Sequence, residues 1–151
     1  MLHKGKQMKK ILSTSTNQKG FTLLEIMVVI VILGVLAAMV VPNLLGNKDK
    51  ADIQKAKTDI VSLENALDMY KLDNGTYPST EQGLEALVKK PSGDPVPRNY
   101  RADGYIRRLP QDPWHHDYIL NNPGEHGKID ILSKGPDGEE GTADDIGNWK
   151  E

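Results

Sequence analysis

A chain of 151 residues with 19 Lys and Arg, 21 Asp and Glu and no cysteine has room for one small domain and cannot use disulfides to hold it. Aromatic residues make up only 5% of it, with a single phenylalanine at Phe21, so any core must rest on Leu, Ile, Val, five tyrosines and two tryptophans. The charge is divided along the chain: the first 20 residues hold five lysines and no acid, which leaves 14 basic against 21 acidic residues, a formal −7, for the rest and disfavours nucleic-acid binding there.

The basic stretch Lys4, Lys6, Lys9, Lys10 and Lys19 precedes a run of 22 residues without a charge, Ile26 to Asn47. At about 1.5 Å per residue a helix of that length spans roughly 33 Å, enough to cross a hydrocarbon core of roughly 30 Å. The positive-inside tendency places the basic leader in the cytoplasm and everything after Asn47 outside it. An ordinary signal peptide has a shorter apolar stretch and a small-residue cleavage site, which Val35 to Ala38 would serve only weakly. A plain membrane anchor leaves Glu25, at the head of the run, without a purpose. An acid deep in a membrane helix costs roughly 2.5–3.5 kcal/mol, and less near the interface, so such a residue usually has a partner. Cleavage after Gly20 would supply one. The new terminal amine on Phe21 has an ordinary pKa of about 7.7–8 and is mostly protonated near neutrality. That cation stands four residues from Glu25, within the same chain or offered by a neighbouring one.

The stretch Lys19-Gly20-Phe21-Thr22-Leu23-Leu24-Glu25, followed by Ile26-Met27-Val28-Val29-Ile30, resembles the class III signal of type IV pilins and pseudopilins. The resemblance implies cleavage by a prepilin peptidase between Gly20 and Phe21, N-methylation of Phe21 and a docking role for Glu25.

Beyond Asn47, Ile53, Ala56, Ile60, Leu63, Leu67 and Tyr70 recur at helical spacing with Lys55, Lys57, Asp59 and Glu64 between them, and Asp73-Asn74-Gly75 reads as the helix stop. One long helix is expected, half in lipid and half packed on a domain. Pro42 lies within it and clashes with the carbonyl of Ala38, while Gly34 adds flexibility. Either this is a tolerated membrane kink, or the segment from Gly34 to Pro42 bends or unwinds when subunits pack.

Ser79 and Gln82 have capping-box spacing and open a short helix with Leu84, Leu87 and Val88 as apolar positions. Pro91, Pro95, Pro97 and Pro110, with Gly93 and Gly104, forbid long regular elements in the loop that follows. After a turn at Asp112-Pro113-Trp114, residues 117–120 and 128–132 read as two strands joined by a hairpin loop over 121–127.

The order Tyr70-Lys71-Leu72-Asp73-Asn74-Gly75, Tyr77-Pro78, Thr80-Glu81-Gln82-Gly83-Leu84, Asp112-Pro113-Trp114 and Gly135-Pro136-Asp137-Gly138 is similar to the major-pseudopilin branch of type II secretion systems, the G subunits. It departs at His115, where that branch commonly carries glycine, so the turn there is expected to differ.

The last motif opens an acidic loop, Asp137 to Asp145. By itself it reads as a solvated loop or as a set of hard oxygens for a cation. Calcium takes 6–8 such oxygens at about 2.3–2.6 Å, and the spacing is not that of an EF-hand. The resemblance implies calcium, with side chains from Asp137, Asp144 and Asp145 and the backbone carbonyl of Lys134, and Glu139 and Glu140 left exposed. His115-His116 is read as a pair of surface histidines. No nucleophile triad, no phosphate loop and no apolar pocket around an acid supports catalysis.

The expected fold is α+β and type IV pilin-like: a long N-terminal helix on a small domain with a short helix, antiparallel strands and a metal-binding loop. Its divisions are a cleaved leader (1–20), a transmembrane and assembly helix (21–47) and a periplasmic domain (48–151). The expected function is that of a structural subunit, not an enzyme. It would sit in the bacterial inner membrane as a single-pass protein and polymerise with copies of itself into a periplasmic fibre driving protein export. Its partners would be minor pseudopilins, the prepilin peptidase and the inner-membrane secretion platform. A type IV pilin of a surface pilus and a membrane-anchored, calcium-dependent periplasmic enzyme are the alternatives.

Overall fold

In a computed structural model the described residues are Gly5 and 20–149; the leader lysines lie outside them. The chain divides into two compact units, 1–42 and 43–151.

The first unit contains the start of helix α1, which runs Leu23–Asn74 and includes Pro42. Thr22 caps it: its Oγ1 accepts the N–H of Glu25 at 3.2 Å. Thr22 and Glu25 thus have capping-box spacing, and the Glu25 carboxylate sits in the first turn, where the helix dipole favours negative charge. Leu24, Ile30, Val31 and Leu36 on this stretch are all more than half exposed, as a surface meant for lipid or for other helices must be. This part of α1 is long and apolar enough to cross a membrane.

The second unit is built on the remainder of α1. Ala56, Ile60, Leu63, Leu67 and Tyr70 are buried on one face, and Ala66 joins them. Ile53, expected on the same stripe, stays 39% exposed, one turn outside the packed set. The buried face meets Leu84, Ala86 and Leu87, together with Tyr118, Leu120, Ile129, Ile131 and Ile146, in one apolar cluster. Fully burying a side chain such as Leu67 is worth roughly 1.5–3 kcal/mol, so this helix face carries much of the domain's stability.

The Ser79–Gln82 capping box forms reciprocally: the Gln82 N–H donates to Ser79 Oγ at 3.1 Å and the Ser79 N–H to Gln82 Oε1 at 3.0 Å. The element it introduces is tighter and shorter than an α-helix, a 3-10 helix over Leu84–Leu87. Leu84 and Leu87 are buried and Val88 is half-buried beyond its end. The Gln82 amide also donates to the carbonyls of Gly93 and Pro95, both at 3.1 Å, and so straps down the start of the proline-rich loop. Later in that loop Tyr100 and Tyr105 pack against Tyr70 with ring centroids 6.1 and 5.3 Å away, tyrosines filling the volume that phenylalanines usually take.

Three strands form one antiparallel sheet in the order β1-β2-β3: β1 is Ile119–Asn121, β2 is Asp130–Ser133 and β3 is Ile146–Gly147. Leu120 pairs with Ile131, and Ser133 with Ile146. The hairpin lies one to two residues further along than the ranges 117–120 and 128–132 expected from the sequence. Asp117 instead pairs across the preceding turn with Gln111, which delays the start of β1. β3 has no counterpart among the elements expected from the sequence. Two residues, one of them glycine, carry no periodic signal, and β3 exists because the second edge of β2 is open to it. Asn148 completes that edge: its N–H donates to the Ile131 carbonyl at 3.1 Å and its Oδ1 accepts the Ile131 N–H at 3.0 Å. Its Nδ2 also donates to the Ile129 carbonyl at 3.1 Å.

Candidate functional site: the processing junction and the acidic loop

Two regions hold the residues singled out by sequence. Gly20 and Phe21 precede α1 in exposed, non-helical chain, and Phe21 is 79% exposed. A peptide bond there is open to a protease, and a terminal amine on Phe21 would stand one turn before Glu25. Pro42 sits inside α1, nineteen residues after its start, with its ring exposed.

The acidic loop joins β2 to β3 and is positioned from below by a buried carboxylate that sequence reasoning assigned only to a turn. Asp112, 3% exposed, accepts the N–H groups of Trp114 and His116 on Oδ1 at 3.1 and 2.7 Å. Its Oδ2 accepts the hydroxyl of Ser133, at the end of β2, at 2.6 Å. Ser133 Oγ in turn accepts the Gly135 N–H at 3.1 Å. The Asp112-Pro113-Trp114 turn is therefore tied through one buried serine to the first residues of the loop. Gly135 is needed where it stands: its φ is +64°, and a Cβ would collide with the backbone carbonyl of Asp144. This close approach folds the two ends of the loop onto each other.

Asp137 and Asp144 are thereby brought together, the Asp137 N–H donating to Asp144 Oδ2 at 3.3 Å. Thr142, at 2.7 Å from Asp144 Oδ1, donates its hydroxyl, and that bond holds the Asp144 carboxyl below the usual carboxylate range, with the Asp137 N–H acting in the same direction. Asp145 accepts the Gly141 N–H on Oδ2 at 2.7 Å, while its Oδ1 is buried without a hydrogen-bond partner. A buried carboxylate oxygen lacking a donor is costly unless something else satisfies it. Lys134 is half-buried at the head of the loop, and Glu139 and Glu140 are exposed as expected. Among the described residues no three His, Cys, Asp or Glu side chains converge on one point; the carboxylates are turned onto the loop's own N–H and hydroxyl donors. The donor set is nevertheless all oxygen, and the unpartnered Asp145 atom and the Asp137–Asp144 approach suit a hard cation. Ser133 and Thr142 were missed in the sequence, because each acts through a contact that spacing does not show.

His115 and His116 part company. His115 is exposed and adopts φ +68°, the one non-glycine residue with positive φ among those described. The turn expected to differ from a glycine-bearing one keeps a glycine's conformation. His116 is not simply a surface histidine: its Nδ1 is buried 3.7 Å from Asp112 Oδ2 without a hydrogen bond, and its ring lies against Gly138.

With this geometry in hand, similarity to known proteins is decisive. Residues 43–149 match the family model described as type II secretion system, protein G, and residues 15–41 match the prokaryotic N-terminal methylation motif. The type II secretion system core protein G of Pectobacterium carotovorum is 78% identical over 132 residues, covering 87% of this chain and 85% of that protein. The core protein G of Escherichia coli K12 is 70% identical, covering 87% of this chain and 91% of its own. The crystal structure of the major pseudopilin from the type 2 secretion system of enterohaemorrhagic Escherichia coli superposes with a TM-score of 0.68 at 68% identity, over 72% of this chain and 95% of that one. The long helix with its small antiparallel sheet, the methylation motif and these relatives together place the chain in the G-protein family of type II secretion systems, the major pseudopilins, which are structural subunits and not enzymes.

Proposed function

We propose that this pseudopilin is cut between Gly20 and Phe21, methylated on the new Phe21 amine, and assembled with copies of itself into a periplasmic pseudopilus anchored at the inner membrane. The observation that carries this reading is the methylation-motif match over the start of an apolar helix whose large side chains, Leu24, Ile30 and Val31 among them, stand exposed. That surface is satisfied by lipid before assembly and by neighbouring helices after it. The chain crosses the membrane once, with its leader cytoplasmic. Minor pseudopilins, the prepilin peptidase and the inner-membrane secretion platform are its partners, and Pro42 lets α1 adjust where subunits meet.

Glu25 has two roles on this account. It lies in the first turn of α1, its N–H bound by Thr22, and its carboxylate is left to receive a neighbour's Phe21 amine. Reversal of its charge, Glu25→Lys, is expected to leave the protein inserted in the membrane but to abolish fibres, read by membrane fractionation and by cross-linking of fibres separately. Loss of insertion itself would contradict the docking role.

The acidic loop binds one calcium ion through Asp137, Asp144 and Asp145, with the Lys134 carbonyl. When bound, the cation supplies positive charge that joins the two ends of the loop. The chain's own contribution is to bring those ends together: Asp112 and Ser133 set the start of the loop, Gly135 lets Asp144 approach, and Thr142 orients the Asp144 carboxylate.

A further inference from the structure

The residues that stop α1 also form the one asparagine-glycine pair in the sequence, Asn74-Gly75. This pair is chemically labile because glycine has no side chain to shield its amide nitrogen. The Gly75 nitrogen, on losing its proton, can attack Asn74 Cγ; the bond from Cγ to Nδ2 breaks, ammonia leaves and a five-membered succinimide forms. Water then opens the ring at either carbonyl and yields aspartate or isoaspartate. Nothing crowds Gly75, since a Cβ built on it would meet no atom within 4 Å.

The Gly75 nitrogen and both polar atoms of the Asn74 amide are nonetheless hydrogen-bonded in the folded domain. The Gly75 N–H donates to the Lys71 carbonyl at 2.7 Å, so the proton that must leave before this nitrogen can attack is held in a hydrogen bond. Asn74 Nδ2 donates to the Tyr70 carbonyl and to the Tyr105 hydroxyl, both at 2.9 Å. Asn74 Oδ1 accepts the Asn99 N–H, also at 2.9 Å. The clamp is itself braced, because the Tyr105 hydroxyl donates to Asp73 Oδ2 at 3.1 Å and Arg101 Nε donates to the same oxygen at 2.6 Å. We propose that Asn74-Gly75 is a latent site of spontaneous deamidation, held silent by the folded domain and released when the end of α1 opens.

The product does not restore the clamp. An aspartate at 74 cannot donate to the Tyr70 carbonyl or the Tyr105 hydroxyl, and it adds a carboxylate beside Asp73. An isoaspartate further lengthens the backbone by one carbon where the helix must stop. Deamidation therefore marks, one way, chains that have spent time with this end of the domain undone, and needs only water as co-reactant. Local opening free energies at helix ends range from near zero to that of global unfolding, so the rate in the folded chain measures how firmly this end is held.

The test is to incubate the full chain in detergent at mildly alkaline pH, native or unfolded in guanidinium chloride, and to follow the tryptic peptide Leu72–Lys89 by mass spectrometry. Asn74 is its one asparagine. Conversion to the acid is expected to be at least about tenfold slower in the native chain, equivalent to about 1.4 kcal/mol of opening free energy. Tyr105→Phe removes the hydroxyl held by Nδ2; it is expected to raise the native rate several-fold and leave the unfolded rate unchanged. Equal native and unfolded rates in the wild-type chain would overturn the proposal even if the variant failed to fold. A native Tyr105→Phe chain converting at the wild-type rate would overturn the clamp.

Discussion

His115 shows how much one backbone angle matters. At φ +68° a residue with a Cβ is in the left-handed region, at a cost of about 1–2 kcal/mol that glycine does not bear, yet the Asp112 hydrogen bonds fix the turn around it. His115→Gly is therefore expected to stabilise the domain by about 0.5–1 kcal/mol, after the entropy that glycine adds to the unfolded chain is discounted. Thermal unfolding of the two proteins checks this; a lower melting temperature in the glycine variant would contradict it. That the position is unusual was legible in the sequence, where a histidine stands in place of glycine after Asp-Pro-Trp. Its conformation was not, because a turn of this kind is held by Asp112, whose partner Ser133 is 21 residues away.

At the scale of elements, the hairpin between β1 and β2 is closed by a second buried carboxylate. Asp130 accepts the N–H groups of Glu125 and His126 on Oδ2 at 2.8 and 3.0 Å, and its Oδ2 also meets His126 Nδ1 at 2.9 Å. The His126 ring stacks on Trp149 at 4.0 Å, so one cluster joins the hairpin to the end of the chain. Burial pushes the Asp130 carboxyl up, but the His126 ring and the two N–H donors outweigh burial and hold it below its ordinary value. Arg101 does the same to Asp73 at the end of α1. A carboxyl with a depressed folded pKa stabilises the fold above its unfolded value of about 3.9, and this contribution disappears as pH falls through the folded value. Stability is thus expected to fall steeply below about pH 4. Asp130→Asn should cost about 1.5–3 kcal/mol at neutral pH and flatten the acid slope. Urea unfolding at a series of pH values measures both, and an unchanged slope would contradict the role of Asp130. The sequence announced the hairpin through two short strand segments flanking a loop that contains Pro123-Gly124, and the Ser79–Gln82 box through spacing, since both signals are local. β3 and the Asn148 edge could not be seen there, because they depend on an open strand edge supplied by distant residues.

For the whole molecule, the division of labour is plain. The N-terminal half of α1 exposes large apolar side chains such as Leu24, Ile30 and Leu36, while the second unit folds around the buried face of Ala56 to Tyr70 with no disulfide to help it. A loop cross-linked by calcium would supply part of what a small core lacks. Chelation of calcium is expected to lower the melting temperature of the full-length protein in detergent, and Asp137→Ala to remove that response; identical melting curves with and without chelator would contradict the site. The loop was legible as an oxygen-rich segment, but which oxygens approach one another depends on Gly135 and Thr142, and so on the fold.

Processing at the junction of the leader and α1 is what, on the proposed function, makes this pseudopilin ready for assembly. Mass spectrometry of the N-terminal peptide from membrane-extracted protein tests it most directly. A chain beginning at Phe21 with one methyl group on its amine is expected; an intact leader, or a cut near Ala38, would contradict processing at Gly20.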